Sequence, residues 1–448
     1  MALEKYGTLS FAQVVKPAIQ AAGGFAPGDE FSDFLKDLLE YHRRWTDSFW
    51  FFYPTGRAPL RGDSLELPTL AKTFESLAEA ETKAQGSREQ KIQAVHDYFY
   101  KGPIAHKLAD ASAALDGLIT YDDLANFHAE VDQPRSTEYR GYTIWKPGFW
   151  TQGPVLLETL NLLEGYQLEP MRHNYPEYLH TVIEATKLAF ADRDQYYGDP
   201  KFSKIPEATL LSKEYAAERR KLIEVGKASE VSRPGQLNAS APAQGGGGVS
   251  TNKDTTSIDI VDQDGNAFSA TPSGAWIPSV IAGDTGIPFS VRLESFVLTP
   301  NHANQLAPGK RPRVTLSPTI VTKGDKLIGV LSTPGGDNQD QALLQVLLNI
   351  IDFNMPPQQA VEAARFTSQH FYSSFGYHEL YPAVVKFENR IPDSIATVLR
   401  QRGHKIDYEE AWSNSSAPVV IWMRDGWSKG VVLEGGADPR RNRVIFAR

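Results

Sequence analysis

The sequence contains no cysteine. That absence removes disulfide scaffolds, thiolate zinc sites, iron–sulfur clusters and cysteine nucleophiles from the available chemistries. Long apolar runs are missing too. The longest candidate, Leu343 to Phe353, is interrupted by Gln345, Asn349 and Asp352, and a membrane-spanning helix needs about 20 predominantly apolar residues. Basic charge is in deficit: 46 Lys and Arg face 54 Asp and Glu, a net charge of −8. A dedicated nucleic-acid binder would normally show the opposite balance or a basic stripe. The opening segment, MALEKYGTLSFAQVV, lacks the basic start and apolar stretch of a secretory signal, a slight lean toward the cytoplasm. There is no HExxH, no phosphate-binding GxxxxGK(S/T), no GxSxG and no EF-hand loop. The ten histidines show no metal-ligand spacing, and His370 and His378, set in an aromatic stretch, read as structural. No metal, no cofactor, no nucleic acid and no membrane is therefore expected as a partner.

What is present is an ordinary globular composition, 41% apolar and 22% charged over 448 residues, enough for two to four domains or one large intertwined one. The first half is helix-rich. Apolar residues recur at three- and four-residue spacings over 30–44 and 68–100, and further helices are expected at 154–166 and 175–197, with a short strand at 139–145. Residues 232–254, with four consecutive glycines, have little to bury and much backbone entropy to lose, so they read as a flexible connection. The texture then turns to strands. Thr255 to Thr271 forms two alternating runs around Asp264-Gly265-Asn266, a hairpin signal. Strands at 315–323 and 326–331, helices at 340–353, 357–366 and 392–402, and strands at 419–423 and 428–433 follow. This order predicts an α+β sandwich assembled from both halves.

Two features carry chemistry. Thr255 stands where the glycine-rich connection meets a strand. Good β-propensity alone would place a threonine there. If the Asp254–Thr255 bond is cut, however, Thr255 gains a free α-amine beside its own hydroxyl. An unperturbed α-amine titrates at about 7.7–8.0, close to the ideal for a general base at neutral pH. Nucleophile and base then share one residue, and no catalytic His or Cys is required. The second feature is Ser332-Thr333-Pro334-Gly335-Gly336-Asp337, directly after an expected strand. Adjacent glycines let backbone N–H groups face a ligand unobstructed, which suits either an oxyanion hole, worth roughly 3–4 kcal/mol per donor, or a plain strand-to-helix turn.

Taken together, these residues resemble the γ-glutamyltransferase family of N-terminal nucleophile hydrolases. Lys5-Tyr6-Gly7-Thr8 through Pro17-Ala18, Lys187 to Arg193 with Gly198-Asp199-Pro200, Thr255-Thr256 with Val261-Asp262 and Asp264-Gly265-Asn266, Lys310-Arg311-Pro312 with Ser317 to Ile320, and Pro334-Gly335-Gly336 match its blocks in order. The resemblance implies a four-layer αββα sandwich. It also implies a precursor that cuts itself between Asp254 and Thr255 into a large subunit, 1–254, and a small one, 255–448, together one intertwined globular unit that could assemble further with copies of itself. It implies Thr255 as nucleophile, Gly335 and Gly336 as oxyanion donors, Ser273 as the hydroxyl that tunes the nucleophile, and Thr271 facing the same site.

Departures from the family pattern bear on substrate. An acidic pair before Phe becomes Glu294-Ser295, so Ser295 replaces the carboxylate that would hold an ammonium. Arg292 stands in place of Gln or Glu, Ala275 replaces an Asn, and Val314-Thr315 replaces a Ser-Ser pair that holds an α-carboxylate. Losing a carboxylate and gaining a guanidinium favours an anionic group over an α-ammonium. The expectation is an amidohydrolase for a small acidic amide, with Arg292, Glu294, Ser295 and Thr315 lining its acyl site. A true γ-glutamyltransferase or glutathione hydrolase, and a non-catalytic descendant or inactive short form, remain the alternatives. Family members carry about a hundred further residues ahead of the segment matched by Lys5 to Thr8, and a chain without them is expected to leave apolar surface and sheet edges uncovered.

Overall fold

A computed structural model of the chain describes residues 1–237, 255–274, 279–425 and 431–447. Asp254, Ala275, the run of four glycines and the first positions of the last expected strand lie outside the described residues. The chain forms two compact units, one of Met1–Val131 with Ala275–Val291, the other of Asp132–Gly274 with Arg292–Arg448. This division cuts across the expected boundary at 254/255, which concerns cleavage rather than compactness.

The first unit is helical: α1 (Ala2–Tyr6), α2 (Phe11–Ala22), α3 (Asp29–His42), α4 (Thr46–Phe52), α5 (Pro68–Lys83), α6 (Arg88–Tyr100), α7 (Pro103–Ala114) and α8 (Tyr121–Ala125). The helical periodicity over 68–100 belongs to two helices. Gly86 turns at φ +109°, and Ser87 opens α6 with a capping box, its hydroxyl accepting from the Gln90 N–H while the Gln90 side chain accepts from the Ser87 N–H. Such a cap contributes about 1 kcal/mol, enough to restart a helix after a glycine turn. Leu35, Phe51, Phe52, Tyr53 and Ile281 form one buried cluster of this unit, and Leu77, Val95, Ile104 and Leu108 another.

In the second unit β1 (Arg135–Tyr139) and β2 (Tyr142–Lys146) pair where one strand was expected. Arg140 and Gly141, both at positive φ, make the two-residue turn between them. Then come α9 (Pro154–Leu163), α10 (Pro176–Tyr196), α11 (Glu207–Leu210), α12 (Lys213–Arg220), the hairpin β3 (Ile258–Val261) and β4 (Ala267–Ala270), and β5 (Thr319–Lys323) and β6 (Lys326–Ser332). They are followed by α13 (Gln339–Ile351), α14 (Pro357–Glu362), β7 (Phe366–Ser368), β8 (Val384–Glu388), α15 (Asp393–Gln401), β9 (Lys405–Glu409), β10 (Val419–Asp425) and β11 (Val431–Ala437). Proline in the first turn starts α9, α10 and α14, where a missing N–H costs nothing.

The six-stranded sheet runs β1-β2-β5-β6-β10-β11. Register places Ile144, Val321, Leu331, Val420 and Trp422 on one face. That face packs into a core with Leu156 and Leu160 of α9, Leu179 and Val182 of α10, and Leu343 and Leu347 of α13. The β3–β4 hairpin lies on the other face. Both edges of β6 are already paired, to β5 and β10, so a hairpin touching β6 sits over it, and the Ser332 hydroxyl donates to Asp259 of β3 at 2.6 Å. Helices, sheet and hairpin thus stack as α, β and β. A separate sheet of β7, β8 and β9, unexpected from the sequence, sends Phe366, Val385, Phe387 and Ile406 into the same core. Among the described residues no helix is long and apolar enough to cross a membrane.

Candidate active site

The hairpin register decides where Thr255 lies. Ile258 pairs with Ala270 and Asp259 with Ser269, and the Thr256 N–H donates to the Pro272 carbonyl at 3.1 Å. Carried to the open end, this register sets Thr255 opposite Ser273. Their hydroxyls share a hydrogen bond of 2.7 Å. With a period of two, Thr255, Ser257 and Asp259 point one way, and Ser269, Thr271 and Ser273 point the same way from the partner strand. This polar face looks toward the sheet: Ser257 and Thr271 are buried, and Asp259 meets Ser332. The apolar residues Ile258, Ile260 and Phe268 are on the outside, each about half exposed. Burial pushes the Asp259 carboxyl up to about 6, against the lowering effect of the nearby Ser269 and Ser332 hydroxyls.

Arg292, on a one-turn helix of 292–295, donates from Nη2 to the Ser273 hydroxyl oxygen. Its guanidinium lies over the ring of Phe375, 5.4 Å from the centroid. Gly274, at φ +84°, makes room for it, since a methyl group there would overlap the Arg292 stem. Phe375 also reaches the glycine pair: a methyl group on Gly336 would stand 3.1 Å from its ring. A chain of contacts therefore joins Thr255, Ser273, Arg292, Phe375 and Gly336 within the second unit.

The glycine pair follows β6 and leads into α13 through a single turn, 336–338. Gly335 has φ +126° and Gly336 φ +56°, conformations that side chains rarely adopt. At Gly335 a methyl group would also overlap the Ser416 hydroxyl. The next residue anchors the turn. Asp337 accepts from Arg193 at 2.5 Å and from the Ser374 N–H at 2.8 Å. Arg193, fully buried on α10, also donates to Asp194, Gln152 and the Tyr372 carbonyl. Burial alone would lower its pKa, but Asp194 and Asp337 outweigh it and hold the pKa above the usual value. Gln152 adds a bond to the Asp337 carbonyl and one to Asp340 at 3.0 Å. A buried charge with this many partners fixes geometry more than it adds stability.

The remaining expected site residues lie nearby in the same unit. Ser295 and Thr315 are 1% exposed, and their hydroxyls have no hydrogen-bond partner among the described residues; the same holds for the Thr271 hydroxyl. Asn304 ties the two segments, donating to the Ser295 carbonyl at 2.6 Å and accepting from the Arg313 N–H at 2.8 Å. Arg193, Asp337, Phe375 and Asp259 were not singled out from the sequence. Arg193 belongs to the block Lys187 to Arg193, and Asp337 directly follows the glycines, so position could have flagged both. Phe375 sits in the aromatic stretch around His370 and His378, of which only the two histidines were weighed. Among the described residues no cluster of three or more acidic or histidine side chains could hold a metal ion.

The mixed α+β fold is that of the N-terminal nucleophile hydrolases of the γ-glutamyltransferase and acylase kind. The chain belongs to the γ-glutamyltranspeptidase family, whose pattern it matches over residues 1–447. It is 32% identical to the glutathione hydrolase proenzyme of Escherichia coli, across 98% of this chain and 72% of that protein. Similarity to the acylase ACY 1 proenzyme of a Pseudomonas species is also 32% identity, across 90% of this chain and 66% of that one. Among solved structures, the cephalosporin acylase of Bacillus halodurans superposes with a TM-score of 0.82 at 31% identity, over 98% of this chain and 74% of that one. The family therefore joins glutathione hydrolases and acylases, and membership makes the chain a hydrolase or acyltransferase by kind.

Proposed function

We propose that the protein is a self-processing N-terminal threonine amidohydrolase that cleaves a small acidic amide through an acyl-enzyme on Thr255. The observation that supports this most directly is the pairing of Thr255 with Ser273 at 2.7 Å, with Arg292 on Ser273 and Phe375 linking Arg292 to the glycine turn. In the precursor, the Thr255 hydroxyl attacks the Asp254 carbonyl carbon. An ester forms as the peptide C–N bond breaks, and water opens the ester to free the two subunits, 1–254 and 255–448. The relatives named as proenzymes support such a precursor. In the mature protein the freed α-amine takes the hydroxyl proton as the oxygen attacks the amide carbon. The N–H groups of Gly335 and Gly336 hold the developing oxyanion. Collapse breaks the C–N bond, and the leaving amine takes the proton. Water then attacks the ester, releasing the acid and restoring the hydroxyl.

The acyl preference follows from charge. Arg292 puts a cation one hydrogen bond from Ser273, while Ser295, neutral and buried, stands where a carboxylate would hold an ammonium. A glutaryl-type or oxamate-type acyl group, carrying a carboxylate without an adjacent amine, suits this site better than a γ-glutamyl group. The test compares hydrolysis of glutaryl and γ-glutamyl anilides by the matured protein. A glutaryl preference is expected; a clear γ-glutamyl preference would favour the glutathione hydrolase reading instead.

A further inference from the structure

Beside the glycine turn the second unit holds a cleft of about 480 Å³. Gly335 and Phe375, both half-buried, line it together with the exposed Tyr377, Glu379 and Tyr381 and with Lys386. Two members of the proposed catalytic arrangement therefore border this cleft. Its exposed wall is aromatic, with Tyr377 and Tyr381 each about half exposed. Its walls are preformed. His378 is held between the Ser373 carbonyl at 2.8 Å and the Phe296 carbonyl at 3.0 Å. The Ser373 N–H donates to the Glu379 carbonyl at 3.0 Å, and the Tyr381 N–H to the Gln369 carbonyl at 3.3 Å. A ligand entering such a cleft has little protein to order.

The charges do not favour an anion. Lys386 faces Glu409 at 3.7 Å, and Asp337, which also lines the cleft, is neutralised by Arg193. Glu379, which accepts from the Tyr381 hydroxyl, leaves the balance negative. The acyl side has the opposite character, with Arg292 at Ser273. Resting on the function proposed above, we infer that this cleft receives the leaving amine of the substrate, and that it selects amines carrying an aromatic ring, neutral or cationic, over amines carrying a carboxylate. Tyr377 and Tyr381 supply flat faces for the ring, while Glu379 repels a carboxylate. The amine departs along the cleft once the C–N bond beside Gly335 has broken. A cysteinylglycine leaving group, with its carboxylate, is disfavoured by the same charges.

The experiment uses matured protein and three amides of one acid: glutaryl-tyramine, glutaryl-methylamine and glutaryl-glycylglycine. The tyramine amide is expected to exceed each of the others about tenfold in kcat/KM. In the double variant Tyr377→Ala with Tyr381→Ala, the ratio of tyramine to methylamine amide should fall to about twofold or less. That ratio is measured within one protein sample, so partial misfolding cannot imitate it. A wild-type ratio near one, a ratio the double variant does not change, or a preference for glycylglycine would each overturn the proposal. So would a double variant that alters the glutaryl to γ-glutamyl preference alone, which would assign the cleft to the acyl group. If no amide acylates Thr255, the proposed function fails, and the cleft is then read by calorimetry on Thr255→Ala protein. Tyramine binding that weakens in the tyrosine double variant would support the inference, and glycylglycine binding as tightly or more tightly would refute it.

Discussion

Asp259 offers a test of the hairpin that needs no substrate. Its side chain lies on the inner, polar face of β3, four residues from Thr255, with one oxygen held by Ser332 at 2.6 Å. Burial raises its carboxyl from 3.8 to about 6, opposed by Ser269, Ser332 and the charge of Arg443. The unfolded chain titrates near the lower value. Between the two, the folded state binds more protons than the unfolded state, so stability falls as pH rises through this window and stays reduced above about pH 6. A shift of about two units at 1.36 kcal/mol each makes the full cost about 3 kcal/mol at pH 8. At pH 4.5 the cost is about 1 kcal/mol, because the folded carboxyl is still protonated there.

Asp259→Asn removes the titration while keeping an oxygen to accept from Ser332. The variant should therefore gain about 2 kcal/mol more, relative to the parent, at pH 8 than at pH 4.5. Urea unfolding of both proteins at the two pH values measures the difference directly, without relying on either absolute stability. An equal effect of the substitution at both pH values would show that the carboxyl is not desolvated. The hairpin would then not lie with its polar face against the sheet, and the placement of Thr255 deduced from its register would lose its support.

Replacing Thr255 with Ala should leave a single full-length mass where the parent yields two fragments parting at 254/255; intact-mass analysis decides, and fragments persisting in the variant would remove Thr255 from the cleavage. Gly335→Ala must accommodate φ +126° and the Ser416 hydroxyl, so kcat should fall about 10²–10³-fold, with Gly336→Ala the milder change because its methyl group meets only Phe375 at 3.1 Å. A reversed order in steady-state kinetics would count against this geometry. Arg193→Gln leaves the buried Asp194 and Asp337 without their shared cation and should cost about 3–5 kcal/mol in urea unfolding; a loss below about 1 kcal/mol would contradict the anchoring role. Ser273→Ala should slow both self-cleavage and turnover about 10–10²-fold while leaving KM close to the parent value, and a change confined to KM would instead make Ser273 a binding residue.

The sequence made most elements of the second unit legible because their local signals agree. Pro154 and Pro176 start helices, Asp264-Gly265 turns a hairpin, and Gly324-Asp325 joins β5 to β6. The errors arose where short elements depend on partners distant in sequence. Phe366–Ser368, Val384–Glu388 and Lys405–Glu409 are three to five residues long, and their pairing, one antiparallel and one parallel, is set by the core they share with α13 rather than by local propensity. The break at Gly86 was hidden because apolar periodicity continues across it, whereas the capping box of Ser87 and Gln90 is a signal the sequence does contain.

The site shows the same division more sharply. Thr255 and the glycine pair stand out because their chemistry is local: one residue can carry both nucleophile and base, and two adjacent glycines can present N–H groups. What surrounds them depends on which way side chains face. Alternation in Thr255 to Thr271 fixes the register of the hairpin but not its orientation, and the ordinary rule would turn Ile258, Ile260 and Phe268 inward. They face outward instead, about half exposed, while Ser257 and Thr271 are buried and Thr255, Asp259, Ser269 and Ser273 are half-buried. The inversion follows from the task proposed for this strand. A nucleophile must lie between the hairpin and the elements that hold its partners, and with a period of two every second residue of the strand goes inward with it. Phe375 then becomes legible only as a contact, since it is far from Thr255 in sequence, whereas Arg292, expected from the sequence at the acyl site, gains its partner Ser273 from the fold.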